Sequence, residues 1–171
     1  MVRTIRRARP EDIDTILCLI EIGRQIMRSD GNREQWPQGY PSRETIANDI
    51  AEGNSYLVFD DDIAVATFAF VKGPDATYRQ IYEGKWLDDV RPYHTVHRVA
   101  SLPDRKGIFR EVMRYCFEHA GNIRIDTHRD NHIMQHVILG YGFTYCGIIH
   151  LLNGDERLAY QRLSGPIGQH E

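Results

Sequence analysis

The feature that most constrains this chain is a change of hydrophobic period and back again within about thirty residues. Thr95 to Ala100 reads as a strand. Phe109, Val112, Met113, Cys116, Phe117 and Ala120 then recur at helical spacing, and Asn122-Ile123-Arg124-Ile125-Asp126 alternates polar and apolar. Strand, helix and strand in this order make a βαβ-like unit, whose crossover is right-handed. The elements around it complete the pattern. A short strand-like stretch, Val2 to Ala8, precedes a helix opened by Arg9-Pro10-Glu11-Asp12, with Ile13, Ile16, Leu17, Ile20 and Met27 on one stripe. Ser42 caps a second helix running to about Glu52. Tyr56–Phe59 and Ile63–Val71 form a hairpin, with Asp60-Asp61-Asp62 as a solvated turn. After Asp126, Asp130 caps a helix bearing Ile133, Met134, Val137 and Ile138. Phe143–Leu152 and Arg157–Leu163 pair across an Asn153-Gly154 turn. The expected fold is a mixed α/β (α+β) domain, a mostly antiparallel twisted sheet flanked by helices. It spans residues 1–163 as one domain, followed by a polar tail at 164–171.

Composition excludes several classes. With 171 residues, 42% hydrophobic and 26% charged, the chain suits one soluble domain with a real core. A formal net charge of -3 gives no reason to expect nucleic-acid binding. No apolar run reaches the ~20 residues of a membrane span. The start, MVRTIRRARPEDID, lacks the apolar core of a secretory signal. Cys18, Cys116 and Cys146 form no CxxC pair and fit a reducing compartment, so a cytoplasmic protein is expected. Cys116 falls on the core face of its helix and Cys146 in a strand, which disfavours an acyl-cysteine intermediate. His128, His132 and His136 recur every four residues. Solvent exposure of a polar helix face explains them more simply than a metal site, and no metal is expected.

The chemistry concentrates where the middle strand meets its helix. In Val99-Ala100-Ser101-Leu102-Pro103-Asp104-Arg105-Lys106-Gly107-Ile108-Phe109 a strand enters a basic turn with one glycine, and the helix opens at Pro103 or Asp104. The free N–H groups of a first helical turn favour an anion, Gly107 allows close backbone approach, and Arg105 and Lys106 add charge. This is a seat for a pyrophosphate. His94 and His97 lie before or on the strand, on opposite faces, so one of them can face a substrate and take a proton near neutral pH.

That turn and the order of elements resemble the GCN-related N-acetyltransferase (GNAT) superfamily over nearly the whole chain, from Arg3 to about Leu163. Arg124-Ile125-Asp126-Thr127-His128-Arg129-Asp130-Asn131, then Gly142-Phe143, Cys146-Gly147-Ile148-Ile149 and Ala159-Tyr160-Gln161, are similar to one bacterial branch of it. The resemblance implies an acetyl-CoA-dependent N-acetyltransferase in which a primary amine, on a small molecule or a peptide, attacks the thioester directly. It implies that Val99, Ala100 and Ser101 line the pantetheine arm. Arg105, Lys106, Gly107, Ile108 and Phe109 would hold the phosphates, and Asn131 would sit near the cofactor. Two departures stand out: Phe109 replaces a small residue of the usual turn, and Ile138 occupies the position of the Tyr that protonates the departing thiolate in many relatives. Tyr141, about one turn further on, is the candidate replacement, with His97 and His94 as candidate bases. Dimerisation is common in relatives and is not decided by the sequence. The acidic residues Asp88, Asp89 and Asp126 would attract a cationic acceptor, and Trp36, Tyr40, Tyr78, Tyr82 and Trp86 would wall its pocket. The alternative is a non-catalytic acyl-CoA-binding or sensing module, which the missing Tyr and altered turn favour.

Overall fold

A computed structural model describes residues 2–164. Seven strands form one sheet in the order β1-β2-β3-β4-β5-β7-β6. They are β1 (Arg3–Arg7), β2 (Ser55–Asp60), β3 (Ile63–Lys72), β4 (His94–Ser101), β5 (Asn122–Thr127), β6 (Thr144–His150) and β7 (Glu156–Leu163). The helices are α1 (Ile13–Ser29), α2 (Arg43–Ala51), α3 (Ile108–His119) and α4 (His132–Gly140). Every pairing is antiparallel except β4 with β5, as the βαβ reading requires. The polar tail expected beyond Ser164 lies outside the described residues.

The alternation of side chains along each strand sorts the core into layers. Val58, Phe68, Val96 and Ile123 pack with Val112, Met113 and Cys116 of α3 and Ile138 of α4 on one face. Leu57 and Ala100 meet Ile16, Leu19 and Ile20 of α1, Ile46 of α2 and Trp36 on the other. The connection from Gly73 to Val90 covers the same face further along, where Tyr78 and Trp86 pack on Cys146, Ile149 and Ala159. Its Tyr82 also bridges to Ile148 on the edge strand β6.

Local departures from the expected boundaries have identifiable causes. α3 begins at Ile108 rather than Pro103, because Gly107 sits in the left-handed region (φ 75°) and breaks any helix running through it. Asn131, not Asp130, caps α4, its side chain accepting from the Met134 N–H at 3.0 Å. Asp60 is not part of a solvated turn: it ends β2, is 3% exposed and accepts from Arg3 Nε at 2.7 Å.

The decisive element is β4. It pairs with β5 only at His94–Ile123 and Thr95–Arg124. Its ladder with β3 shifts register between Thr67 and Ala69, and Arg98 adopts a positive φ of 53°. A non-glycine residue in that region is held by its surroundings; here Asp49 of α2 takes the Arg98 guanidinium through two bonds of 2.7 and 2.8 Å. β4 therefore swings away from β5 after Thr95 and opens a wedge in the sheet.

Candidate active site

The wedge is the site. A continuous cleft follows it, with Val99 and Met134 shared by all three of its stretches. At one end, about 540 Å³ lies between the turn after β4 and α4, lined by Ser101, Arg105, Gly107, Ile108, Phe109 and Tyr141. A narrow middle stretch passes Ala100, Ser101 and Asn131. At the other end a cavity of about 230 Å³ holds His97, Asp75, Asp126, Arg98, Arg157 and Trp36.

The turn is built by contacts that no local motif announces. Arg3 Nη1 donates to the Lys106 carbonyl at 2.9 Å while its Nε holds Asp60, and Arg105 Nη1 lies 3.8 Å from the same carboxylate. Arg3 thus ties the turn to β1 and β2. Lys106 is exposed and does not line the cleft; Arg105 does. The Ile108 side chain is buried in the core, so what it can offer a ligand is its backbone. Phe109 turns its ring edge-on to Tyr141, centroids 6.4 Å apart, and walls the cleft beside α4. Asn131 is buried and occupied: besides capping α4 it donates to Gln35 Oε1 at 3.0 Å. Gln35 Oε1 also accepts from the His128 N–H and the Thr127 hydroxyl, both at 3.3 Å, which pins the loop after α1 over the start of α4.

The two histidines separate as their spacing requires. His94 points away from the cleft and stacks on Phe70 (4.7 Å) beside Lys72 and His119; burial first, then the neighbourhood of those two side chains, lowers its pKa. It is not in the site. His97 is. Its Nε2 lies 3.4 Å from Asp75 Oδ2 and its Nδ1 4.0 Å from Asp126 Oδ2. The contact with His97 holds the Asp75 carboxyl down at about 2, with help from the Thr77 hydroxyl and N–H, against burial that pushes it up. Asp126 in turn accepts from the hydroxyl of Tyr78, whose own pKa is pushed up by burial and by that carboxylate.

Tyr141 does not share this end. It lines the stretch beginning at the turn, stacked on Phe117 with the Arg162 guanidinium over its ring, while His97 lines the far cavity. Ile138 is fully buried in the core and leaves no polar group in its place. Of the three acids expected to draw a cation, only Asp126 lines the cleft. Asp88 bonds Arg91 and Asp89 pairs with Arg124. Of the five aromatics, Trp36 and Tyr40 line it. Tyr78 acts from behind through Asp126, Tyr82 stacks on His150, and Trp86 packs on Arg124. Burial raises the thiol pKa of both Cys116 and Cys146, so neither is a ready nucleophile. Among the described residues no group of three His, Cys, Asp or Glu side chains is arranged to hold a metal ion. No helix of the described residues is long and apolar enough to cross a membrane.

Asp75, Gln35 and Arg157 are the site residues that sequence reading missed. An Asp two residues before a Thr signals a turn at Asp75. Nothing local signals that the turn lands on His97.

A mixed sheet split between its parallel middle strands, with a glycine turn at one end of the split, defines the acetyltransferase class. A GNAT-family acetyltransferase of Streptococcus agalactiae 2603 is 36% identical, superposes with a TM-score of 0.88, and the match covers 95% of this chain and 96% of that one. The chain belongs to the GNAT acetyltransferase family. The fold alone is shared with a GNAT-family acetyltransferase of Listeria monocytogenes 4b F2365 (17% identity, TM-score 0.70, 94% of each chain). It is also shared with the PaiA N-acetyltransferase of Thermoplasma acidophilum in complex with coenzyme A (14%, 0.66, 95% and 99%). No family sequence model and no curated protein matches the chain.

Proposed function

We propose that this acetyltransferase moves an acetyl group from acetyl-CoA to a primary amine by direct attack, with His97 as the base. The carrying observation is His97 between Asp75 and Asp126 at the end of the cleft opposite the glycine turn. Coenzyme A, bound in the Thermoplasma relative, fits the cleft in one direction. Its pyrophosphate meets the turn amides at Gly107–Phe109 and the Arg105 guanidinium. Its pantetheine arm runs past Val99–Ser101, where β4 is paired with β3 on one side but has no strand partner on its β5 side, so the backbone groups facing the split need one. The thioester then reaches the His97 end.

Asp75 fixes the imidazole with its proton on Nε2, which leaves the Nδ1 lone pair toward the cavity. The 4.0 Å gap from Nδ1 to Asp126 is too long for a direct hydrogen bond and suits an acceptor ammonium between them. The ammonium gives a proton to Nδ1. The freed lone pair attacks the thioester carbonyl, strand N–H groups steady the oxyanion, and the C–S bond breaks with its electrons on sulfur; the second proton of the acylated nitrogen passes to the departing thiolate, so the products are the neutral amide and the free thiol. A thiol of pKa about 8.5 leaves readily as thiolate. No tyrosine at Ile138 is therefore required, and Tyr141 becomes a wall of the coenzyme cleft.

The test is calorimetry with acetyl-CoA, followed by release of free thiol over an amine panel. Binding with amine-dependent release supports the enzyme. Binding with no release for any amine supports the alternative, a non-catalytic acyl-CoA-binding module. Without binding, both readings fail.

A further inference from the structure

Three arginines are buried among the described residues, and they differ in one respect. Arg24 pairs with Glu21 and Arg124 with Asp89, whereas Arg157, 5% exposed, has no carboxylate within 4.0 Å among the described residues. Its Nη1 donates to the Glu156 carbonyl at 2.9 Å and its Nη2 to the Gln35 carbonyl at 3.5 Å. Two neutral acceptors do not match a buried guanidinium, whose fork of donors fits a carboxylate and whose charge is costly to bury alone. Arg157 lines the His97 cavity, which is where the missing partner would come from. The other arginine there, Arg98, is already balanced by Asp49. The cavity thus carries two carboxylates beside His97 and one uncompensated cation at Arg157. Its roughly 230 Å³ takes one group the size of an amino acid.

We infer that the acceptor is a compact amine that also bears a carboxylate, of amino-acid size, held by Arg157 through the carboxylate and presented to His97 through the amine. This rests on the proposed acetyl transfer and narrows it, since the N-terminal residue of a peptide has its carboxylate tied up as an amide.

The experiment measures acetylation of matched sets: free amino acids, their α-carboxamides and the corresponding decarboxylated amines. Wild-type enzyme is compared with Arg157→Gln and Arg157→Lys. A site built for a polar group rejects analogues lacking it. The free acids are expected to show kcat/KM at least about tenfold above their amides, mainly through KM. In Arg157→Gln that preference should collapse towards one, and Arg157→Lys should restore part of it. Acetyl-CoA affinity of each variant reports whether it is folded, and the wild-type comparison stands without the variants. Amides or simple amines turned over as well as the acids by the wild type would overturn the inference and leave acetyl transfer intact. If no amine in any set is acetylated, the transfer reading itself fails and this one with it.

Discussion

At the scale of single residues, the site depends on Asp75, which reaches His97 from the connection after β3 rather than from β4 itself. The Asp75 carboxylate holds one face of the imidazole, and two bonds from Thr77 hold the carboxylate. Asp75→Asn keeps the shape and removes the charge. We expect kcat to fall about tenfold to a hundredfold, less than the hundredfold or more for His97→Ala, since one change disorients the base and the other removes it. Added imidazole separates the two: it should restore part of the rate in His97→Ala, where the base is missing, and none in Asp75→Asn, where the base is still present. The same pair makes a stability prediction. Asp75 titrates at about 2 in the folded protein against an ordinary 3.8. Its contribution is therefore full above about pH 4 and lost as pH falls towards 2. At a half-buried group screened by solvent it amounts to about 1–2 kcal/mol. Urea melts from pH 5 to pH 2 should show this loss in the wild type and a shallower one in Asp75→Asn; parallel curves would refute it.

At the scale of elements, the segment from β4 through the turn to α3 joins sequence to function most directly. Gly107 holds a φ of 75°, and a Cβ there would find only Arg3 Nη1, at 3.8 Å. The cost of Gly107→Ala is thus conformational rather than steric, about 1 kcal/mol. Because the strained residue sits between the Lys106 carbonyl and the first amides of α3, acetyl-CoA affinity should fall with stability, by roughly fivefold to tenfold. A loss of stability with unchanged affinity, by melting and calorimetry on one sample, would remove the turn from the binding site. This segment also marks what is legible in the sequence. The stripe Val112-Met113-Cys116 and the alternation in β5 are local periodicities, and they place α3 and β5 correctly. Gly107 is legible as a turn. Where α3 begins depends on its φ, which residue identity alone does not decide. Arg3 on Asp60, Asp75 on His97 and Arg157 beside Gln35 are contacts between distant stretches of chain with no periodicity to betray them.

For the whole molecule, the split in the sheet sets the mechanics. The half containing β1 to β4 and the half containing β5 to β7 share only two β4–β5 residue pairs, with α3 packed across both on one face. On the cleft face two stretches link them: the loop after α1, through Gln35 to Thr127, His128 and Asn131, and the connection after β3, through Tyr78 bonded to Asp126 and packed with Trp86 on β6 and β7. A ligand that lies along the split and touches both walls joins the halves, so its binding should appear as global stability. At a hundredfold excess over its dissociation constant acetyl-CoA would add about 2.7 kcal/mol, which for a chain of this size raises the melting temperature by roughly 5–10 °C. Pantetheine alone lacks the pyrophosphate, and at equal concentration it should give only a small part of that shift. Gln35→Ala removes the three side-chain bonds of the loop's tie to the second half and keeps only the Arg157 bond to the Gln35 carbonyl. It should lower the unliganded melting temperature and leave most of the ligand-induced gain, because the coenzyme then supplies the missing bridge. Thermal melts of both proteins, with and without each ligand, measure all of this together. Any ligand of the folded state raises the melting temperature, so location is read from a variant: a gain from acetyl-CoA as large in Gly107→Ala as in the wild type, at equal concentration, would mean that the coenzyme does not sit against the turn at the end of the split.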